Sequence, residues 1–228
     1  MAEDYVDIVM NGFLEPEEEI QGTPVDTSLT VDNTKANKVH VMPNDLLVNL
    51  EAFYNNQENP HKVGYDSSNK TWESYEDPPG SGNWAIAYGL SSILDQNGNF
   101  RPVKAGDVIT DDAASNTFEK RANEMYNLIL KDSHISDDFS GIDLNKQTSF
   151  LSLLMNTGYE GFKYKNILTA EGEDDWQITN AYTSFGEGDF NKFLFEAFDA
   201  TEGFVRDDGV TLPGLQNRRD AEKDLWEK

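Results

Sequence analysis

A turn-rich stretch, residues 57–104, separates one amphipathic segment from several later ones, and this order most constrains the fold. The stretch is rich in Gly, Pro, Ser and Asn, and it contains Asn97-Gly98, a dipeptide typical of two-residue hairpin turns. Within it, the apolar run WAIAYGL at 84–90 predicts a short buried strand. Residues 57–104 are therefore predicted to form a small β region.

Helical patterns flank the β region on both sides. Residues 43–56 place apolar side chains one helical turn apart, and Pro43 and Asn44 suit the start of a helix. A long second helix is predicted after Thr110, a good N-cap, because apolar residues then recur at helical spacing. These residues are Phe118, Ala122, Met125 and Ile129.

Four further helices are predicted, and the resulting order of elements indicates an α+β fold with segregated halves. The first covers 146–158, with Phe150, Leu153 and Leu154 on its apolar face and Gly158 at its end. The others cover 174–185, 189–198 and 214–226. Five phenylalanines in this part are expected in the core rather than on a sugar-binding surface. They are Phe185, Phe190, Phe193, Phe195 and Phe198.

The charge of the chain argues against two classes of partner. Its 228 residues include 42 acidic and 18 basic side chains, for a net charge of −24. Such a field repels nucleic acid and anionic membranes, so we expect neither as a partner. The chain has no cysteine, and His40, His61 and His134 lie far apart in the sequence. We therefore expect no disulfide, no metal site and no cofactor.

The N-terminal segment differs in composition from the rest. Residues 1–45 carry ten acidic and two basic side chains, with no sustained period of 2 or 3.6. We predict an extended acidic arm over 1–43, ordered by a binding partner, and a folded domain over 44–228. Alternatively, the negative charge of the chain serves to keep the protein soluble and does not mark a binding surface.

Four stretches in this order resemble the phage-type lysozymes, glycoside hydrolase family 24. They are NLEAF at 49–53, YEDPPGSGNWAIAYGL at 75–90, VKAGDVITDD at 103–112, and the pair LNKQTSFLSLLMNTG at 144–158 and LPGLQNRRDAEKDLW at 212–226. The resemblance covers about residues 44–228.

The resemblance implies a lysozyme-like fold and a muramidase activity on bacterial peptidoglycan. A small β lobe, 57–104, and a larger helical lobe, 110–228, would be joined by the long helix and would enclose a cleft. The family cleaves the β-1,4 glycosidic bond without a cofactor. Cleavage of this kind needs one protonated carboxyl for the leaving oxygen and one ionised carboxylate for the attacking water.

Carried over residue by residue, the family motif assigns two catalytic positions. The acid corresponds to Glu51, expected near the end of its helix, and the base corresponds to Asp77. Arg218 or Arg219 resembles the family arginines that orient the glutamate. The alternative for these arginines is a surface ion pair with Glu222.

Three departures from the family pattern bear on activity. Glu51 and Asp77 are 26 positions apart, a longer gap than in the family, so 57–74 is interpreted as an insertion. Within that insertion, Asp66 is a rival for the role of Asp77. Ala85 replaces the family's water-positioning Thr, a loss that should cost about 10²-fold in rate. Ala87 and Leu90 also replace the usual Gly and His.

These observations leave two interpretations of function. The first is an active muramidase carried by the phage particle, in its tail or baseplate, and acting on the host cell wall. The acidic arm at 1–43 would then bind other virion proteins. The second is a lysozyme-like domain with reduced or lost catalysis, retained as a structural or glycan-binding virion component.

Overall fold

The computed structural model of the chain describes residues 39–168, 174–199, 204, 206–207, 210–211 and 213–228. The predicted arm at 1–43 lies outside these residues, apart from its last five. The described part combines α-helices with small antiparallel sheets, which confirms the predicted α+β class.

The elements are numbered in chain order within the described residues. The helices are α1 (Asn44–Gln57), α2 (Asp111–Lys131), α3 (Ser136–Gly141), α4 (Leu144–Thr157), α5 (Tyr159–Lys163), α6 (Asn180–Gly186), α7 (Phe190–Phe198) and α8 (Pro213–Trp226). The strands are β1 (Tyr65–Asp66), β2 (Thr71–Glu73), β3 (Tyr75–Glu76), β4 (Trp84–Ala85), β5 (Ser92–Leu94), β6 (Phe100–Pro102), β7 (Val108–Thr110), β8 (Tyr164–Leu168), β9 (Asp174–Ile178), β10 (Arg206–Asp207) and β11 (Val210–Thr211).

Strands β1 to β7 all lie between α1 and α2 in the sequence, as the turn-rich composition predicted. They form a three-stranded sheet in the order β1-β2-β7 and two hairpins, β3–β4 and β5–β6. Two further hairpins, β8–β9 and β10–β11, lie among the later helices, and the sequence did not predict them.

The long helix α2 begins where the sequence predicted. The Thr110 hydroxyl accepts a hydrogen bond from the Ala113 N–H at 3.2 Å, and Asp111 and Asp112 occupy the positive end of the helix dipole. The four predicted apolar positions are buried, which confirms the face. These are Phe118, Ala122, Met125 and Ile129.

Helix α1 begins and ends one residue later than the predicted segment 43–56. It buries Leu46, Leu50 and Tyr54 along one face and continues to Gln57. Glu51 therefore lies near the middle of the helix, and the expectation that it lies near the end is wrong. The residue after the last helical position is Glu58.

Helix α4 forms the centre of the helical core, in contact with α1, α2 and α8. All eight residues from 148 to 155 are buried, including Ser149 and Ser152. Phe150, Leu153 and Leu154 are buried as predicted, and their neighbours are buried too because the helix is enclosed on all sides.

The phenylalanine cluster is mainly core, as predicted. Phe185, Phe193 and Phe198 are buried, and Phe190 packs partly against them. Phe195 is the exception, with 51% of its surface exposed.

Only the second part of the predicted helix over 174–185 is helical. Its first part is strand β9, which pairs with β8 in an antiparallel backbone register that sets Trp176 opposite Asn166 and Ile178 opposite Tyr164. The helix begins only after Thr179, whose hydroxyl accepts from the Tyr182 N–H at 3.1 Å. An N-cap in the middle of the segment thus separates a strand from a helix.

The predicted insertion at 57–74 supplies strands β1 and β2, and β2 pairs with β7. Two aromatic side chains attach this sheet to the first residue of α2. The Tyr65 hydroxyl and the Trp72 indole N–H donate to separate oxygens of Asp111, at 2.9 and 2.7 Å. The insertion is therefore folded against the rest of the β region.

Candidate active site

The loop that carries Asp77 connects β3 to β4. Asp77 is exposed, and its N–H donates to the Asn83 carbonyl at 2.9 Å, which closes the base of the loop. The phenol of Tyr75 lies near this carboxylate: burial, and then the charge of Asp77, raise the pKa of Tyr75 to about 12. Asp77 thus presents its carboxylate to solvent at the edge of the β region.

The segment after β4 is a tight turn rather than the longer strand predicted for 84–90. Ile86 and Leu90 form a backbone bridge, and Ala87 between them has φ +52°, in the left-handed region that favours glycine. The Asn59 amide donates to the Ala87 carbonyl at 2.9 Å. Ala85 and Leu90, which stand where the family has Thr and His, are both buried apolar side chains. Neither position therefore offers a polar group to a bound substrate.

Glu51 points from α1 toward this turn and toward α2. Its Oε1 accepts hydrogen bonds from the Tyr88 hydroxyl at 3.3 Å and from the Ser115 hydroxyl at 3.0 Å. Burial, and also the neighbouring Glu51 carboxylate, raise the pKa of Tyr88. Glu51 is half-buried and is held by two hydroxyl donors from two different elements.

Glu58, which the sequence reasoning missed, is a second carboxylate at the C-terminal end of α1. It forms an ion pair with Arg218 and lies beside Gly89. A Cβ at Gly89 would lie 2.9 Å from Oε2 of Glu58, so this carboxylate approaches the turn after β4 closely. The available sequence signal was Pro60, because a proline two positions on favours a helix end near Glu58.

The two arginines of α8 lie in a buried network and not in surface ion pairs. Arg218 Nε lies 3.0 Å from Oε1 of Glu222, and Arg219 Nε lies 3.1 Å from Oε2 of the same carboxylate. Arg218 also contacts Glu58 and stacks over the Tyr54 ring at 4.5 Å. The structure thus brings Arg218 to Glu58, where the sequence had suggested Glu51.

Asp66, the rival for the role of Asp77, shapes its own turn. Its carboxylate accepts from the Ser68 N–H at 2.9 Å and from the Asn69 amide at 2.7 Å. The Ser68 contact, and then that of Asn69, lower the pKa of Asp66. This geometry favours a structural role for Asp66.

Within the described residues, no group of three or more His, Cys, Asp or Glu side chains is arranged to hold a metal ion. No helix in the same part of the chain has the length and apolarity needed to cross a membrane.

A family model described as phage lysozyme matches residues 70–222. Since this match covers more than half of the chain, the protein belongs to the phage lysozyme family. The matched range includes Asp77 and Arg218, and it begins after Glu51 and Glu58.

Several solved structures are similar to this one. The active form of the P1 phage endolysin Lyz has 19% sequence identity and a TM-score of 0.48, with 78% of this chain and 92% of that chain covered. The endolysin of Escherichia coli O157:H7 phage FAHEc1 has 20% identity and a TM-score of 0.46, with 81% and 91% covered. The muramidase domain of SpmX from Asticaccaulis excentricus has 16% identity and a TM-score of 0.45, with 83% and 99% covered. No curated protein sequence matches the chain.

Proposed function

We propose that this protein is a muramidase that hydrolyses the β-1,4 bond between N-acetylmuramic acid and N-acetylglucosamine in bacterial peptidoglycan. Membership of the phage lysozyme family supports a glycoside hydrolase with this substrate. The observation that carries the proposal is structural. The β3–β4 hairpin carries an exposed Asp77 on its loop, and the turn after β4 contacts Glu51 and Glu58.

The proposed chemistry divides two roles between carboxyl groups. Asp77, exposed on its loop, acts as the general base that activates water. The proton donor is a carboxyl of α1, with Glu51 as the residue assigned from the sequence. Glu58 is the alternative, favoured by its position at the end of α1 and its contact with Gly89.

Release of dye-labelled fragments from purified peptidoglycan tests the proposal and separates the two donors. We expect the wild type to release fragments with new reducing ends, and Asp77→Asn to be inactive. Glu51→Gln and Glu58→Gln each replace one carboxyl oxygen with an NH₂ group and keep the size of the side chain. At equal folded stability, only the variant that lacks the proton donor should lose activity. A wild type inactive on walls of several chemotypes would contradict the proposal.

The alternative function is a glycan-binding domain with little or no catalysis. Ala85 favours it, because this buried alanine offers no hydroxyl to hold a water molecule. Cosedimentation of the wild type with intact peptidoglycan, without release of reducing ends, would support this alternative.

We also propose that the protein is a component of the phage particle, in the tail or baseplate. The acidic composition of residues 1–45 supports an attachment role for the arm at 1–43. Deletion of 1–43 should leave wall hydrolysis intact and abolish incorporation into purified particles, as measured by mass spectrometry. Particles that contain the truncated chain at the normal amount would contradict attachment through the arm.

A further inference from the structure

The side chain of Glu76 spans the loop that presents Asp77. Glu76 is the last residue of β3, directly before Asp77. Its Oε2 accepts a hydrogen bond from the Gly80 N–H at 2.8 Å, and its Oε1 accepts from the Gly82 N–H at 2.7 Å. One carboxylate thus uses both oxygens to hold two amides from the far side of the loop.

The loop conformation makes these amides available. Gly80 and Gly82 have φ of +85° and +79°, which place their N–H groups toward the inside of the loop at no steric cost. A Cβ at either glycine would meet nothing within 4 Å, so the backbone conformation and not the space selects glycine here. Backbone N–H groups that converge in this way form a small anion-binding site.

The anion that occupies this site comes from the chain itself. The two amides stabilise the ionised form of Glu76: their hydrogen bonds, from Gly80 and then from Gly82, lower its pKa. They are therefore not available to Asp77, whose own N–H closes the loop on the Asn83 carbonyl. The Asp77 backbone is held by its own hydrogen bond to Asn83 and by the hydrogen bonds of the adjacent Glu76.

We infer that Glu76 is a positioning residue, which holds the 77–82 loop in the conformation that directs the Asp77 carboxylate toward the substrate. This inference rests on the proposed glycosidase function for its catalytic consequence. Displacement of a catalytic group by about 1 Å can cost about 10²-fold in rate without any loss of substrate binding. Glu76 acts through the loop and does not contact the reacting atoms.

Two variants of Glu76 and one matched control test the inference. Glu76→Ala removes both acceptors, and Glu76→Gln keeps one acceptor oxygen but places an NH₂ group where the second was. Glu73→Ala removes an exposed carboxylate from the neighbouring strand β2 and is the control for charge. All variants are made in the full chain, and their free energies of unfolding are measured first.

The first readout is amide hydrogen exchange of Gly80 and Gly82, which does not depend on activity. We expect exchange at both amides to be at least tenfold faster in Glu76→Ala, faster mainly at one amide in Glu76→Gln, and unchanged in Glu73→Ala. Unchanged exchange in Glu76→Ala would overturn the inference.

The second readout is steady-state hydrolysis of soluble peptidoglycan fragments. We expect kcat to fall 10- to 100-fold in Glu76→Ala with KM nearly unchanged, and to fall less in Glu76→Gln. Faster exchange with unchanged kcat would also overturn the inference. A wild type without hydrolytic activity would contradict the proposed function instead, while the exchange rates alone would still decide whether Glu76 holds the loop.

Discussion

The Arg218 guanidinium and the Glu222 carboxylate form an ion pair inside the helical core, with 3.0 Å between Nε and Oε1 and no more than 6% exposure of either side chain. Arg219 approaches the other oxygen of Glu222. Two cations thus share one buried anion. Arg219 is the less well compensated, because its side chain is fully buried and its Nη1 has no hydrogen-bond partner among the described residues. Burial lowers its pKa to about 10.

Replacement of the two arginines should therefore have unequal effects. Arg218→Met leaves both Glu58 and Glu222 without their closest cation, and we expect it to lower the free energy of unfolding by about 3–5 kcal/mol. Arg219→Met removes a poorly compensated charge and leaves Glu222 paired with Arg218, so we expect a loss of about 1–2 kcal/mol.

Urea denaturation monitored by circular dichroism measures both values. Lys223→Met, an exposed position on the same helix, is the matched control and should change stability by less than about 0.5 kcal/mol. Equal losses of unfolding free energy in the two variants would show that both arginines stabilise the protein equally, which would contradict the prediction.

Asp132 should make stability depend on pH in the acid range. Burial alone would raise the pKa of Asp132, but hydrogen bonds from Tyr159 and Tyr182, with the charge of Lys163, hold it at about 2, below the ordinary 3.8. A lowered pKa contributes stability that is present above about pH 4 and is lost as the pH falls toward 2. We expect this contribution to reach about 2 kcal/mol.

The difference in unfolding free energy between wild type and Asp132→Asn, measured from pH 6 to pH 2, tests this prediction. The difference should be constant near pH 6 and should shrink below pH 4. Asp137→Asn, at an exposed position nearby, controls for the change in net charge. A difference that does not vary with pH would contradict the pKa assigned to Asp132.

Asp111 should anchor the inserted sheet. Its two oxygens accept from Tyr65 and Trp72, and Asp111→Asn replaces one acceptor with an NH₂ group that faces a donor. We expect a loss of about 1–3 kcal/mol in the free energy of unfolding. Asp112→Asn, exposed and also in the first turn of α2, should lose only the dipole contribution of about 0.3–1 kcal/mol. Similar losses of unfolding free energy in Asp111→Asn and Asp112→Asn would show that Asp111 does not anchor the sheet.

Ala85→Thr should raise the rate of wall hydrolysis, if a hydroxyl at this position holds the attacking water. We expect a gain in kcat of about tenfold or more, with up to about 1–3 kcal/mol of destabilisation because Ala85 is buried. Ala85→Val adds the same bulk without a hydroxyl and should give no gain. If Ala85→Val raised kcat as much as Ala85→Thr, the cause would be packing and not the hydroxyl.

Local signals in the sequence were sufficient for much of the fold. The N-cap at Thr110 and the apolar spacing of the following residues fixed the start and the buried face of α2, because both depend on neighbours within a few positions. The hairpin and turn chemistry of 57–104 likewise depends on short-range preferences. The β8–β9 hairpin was missed because the run from 174 to 178 is too short to distinguish strand from helix by periodicity.

The arrangement of carboxylates around the candidate site depended on long-range contacts. The helical spacing predicts the extent of α1 to within one residue, but it does not indicate that Ser115 of α2 contacts Glu51. The position of Glu58 follows from Arg218, which is 160 positions away in the sequence. In the proposed reaction, the variants Glu51→Gln and Glu58→Gln test which of the two carboxyl groups donates the proton.

The inserted sheet is attached at its base through β2 and Asp111, and its tip at residues 67–69 is exposed to solvent. A change in length at such a tip leaves the strand pairing at the base intact. A fluorophore attached there would report on wall binding without displacing Glu51, Glu58 or Asp77.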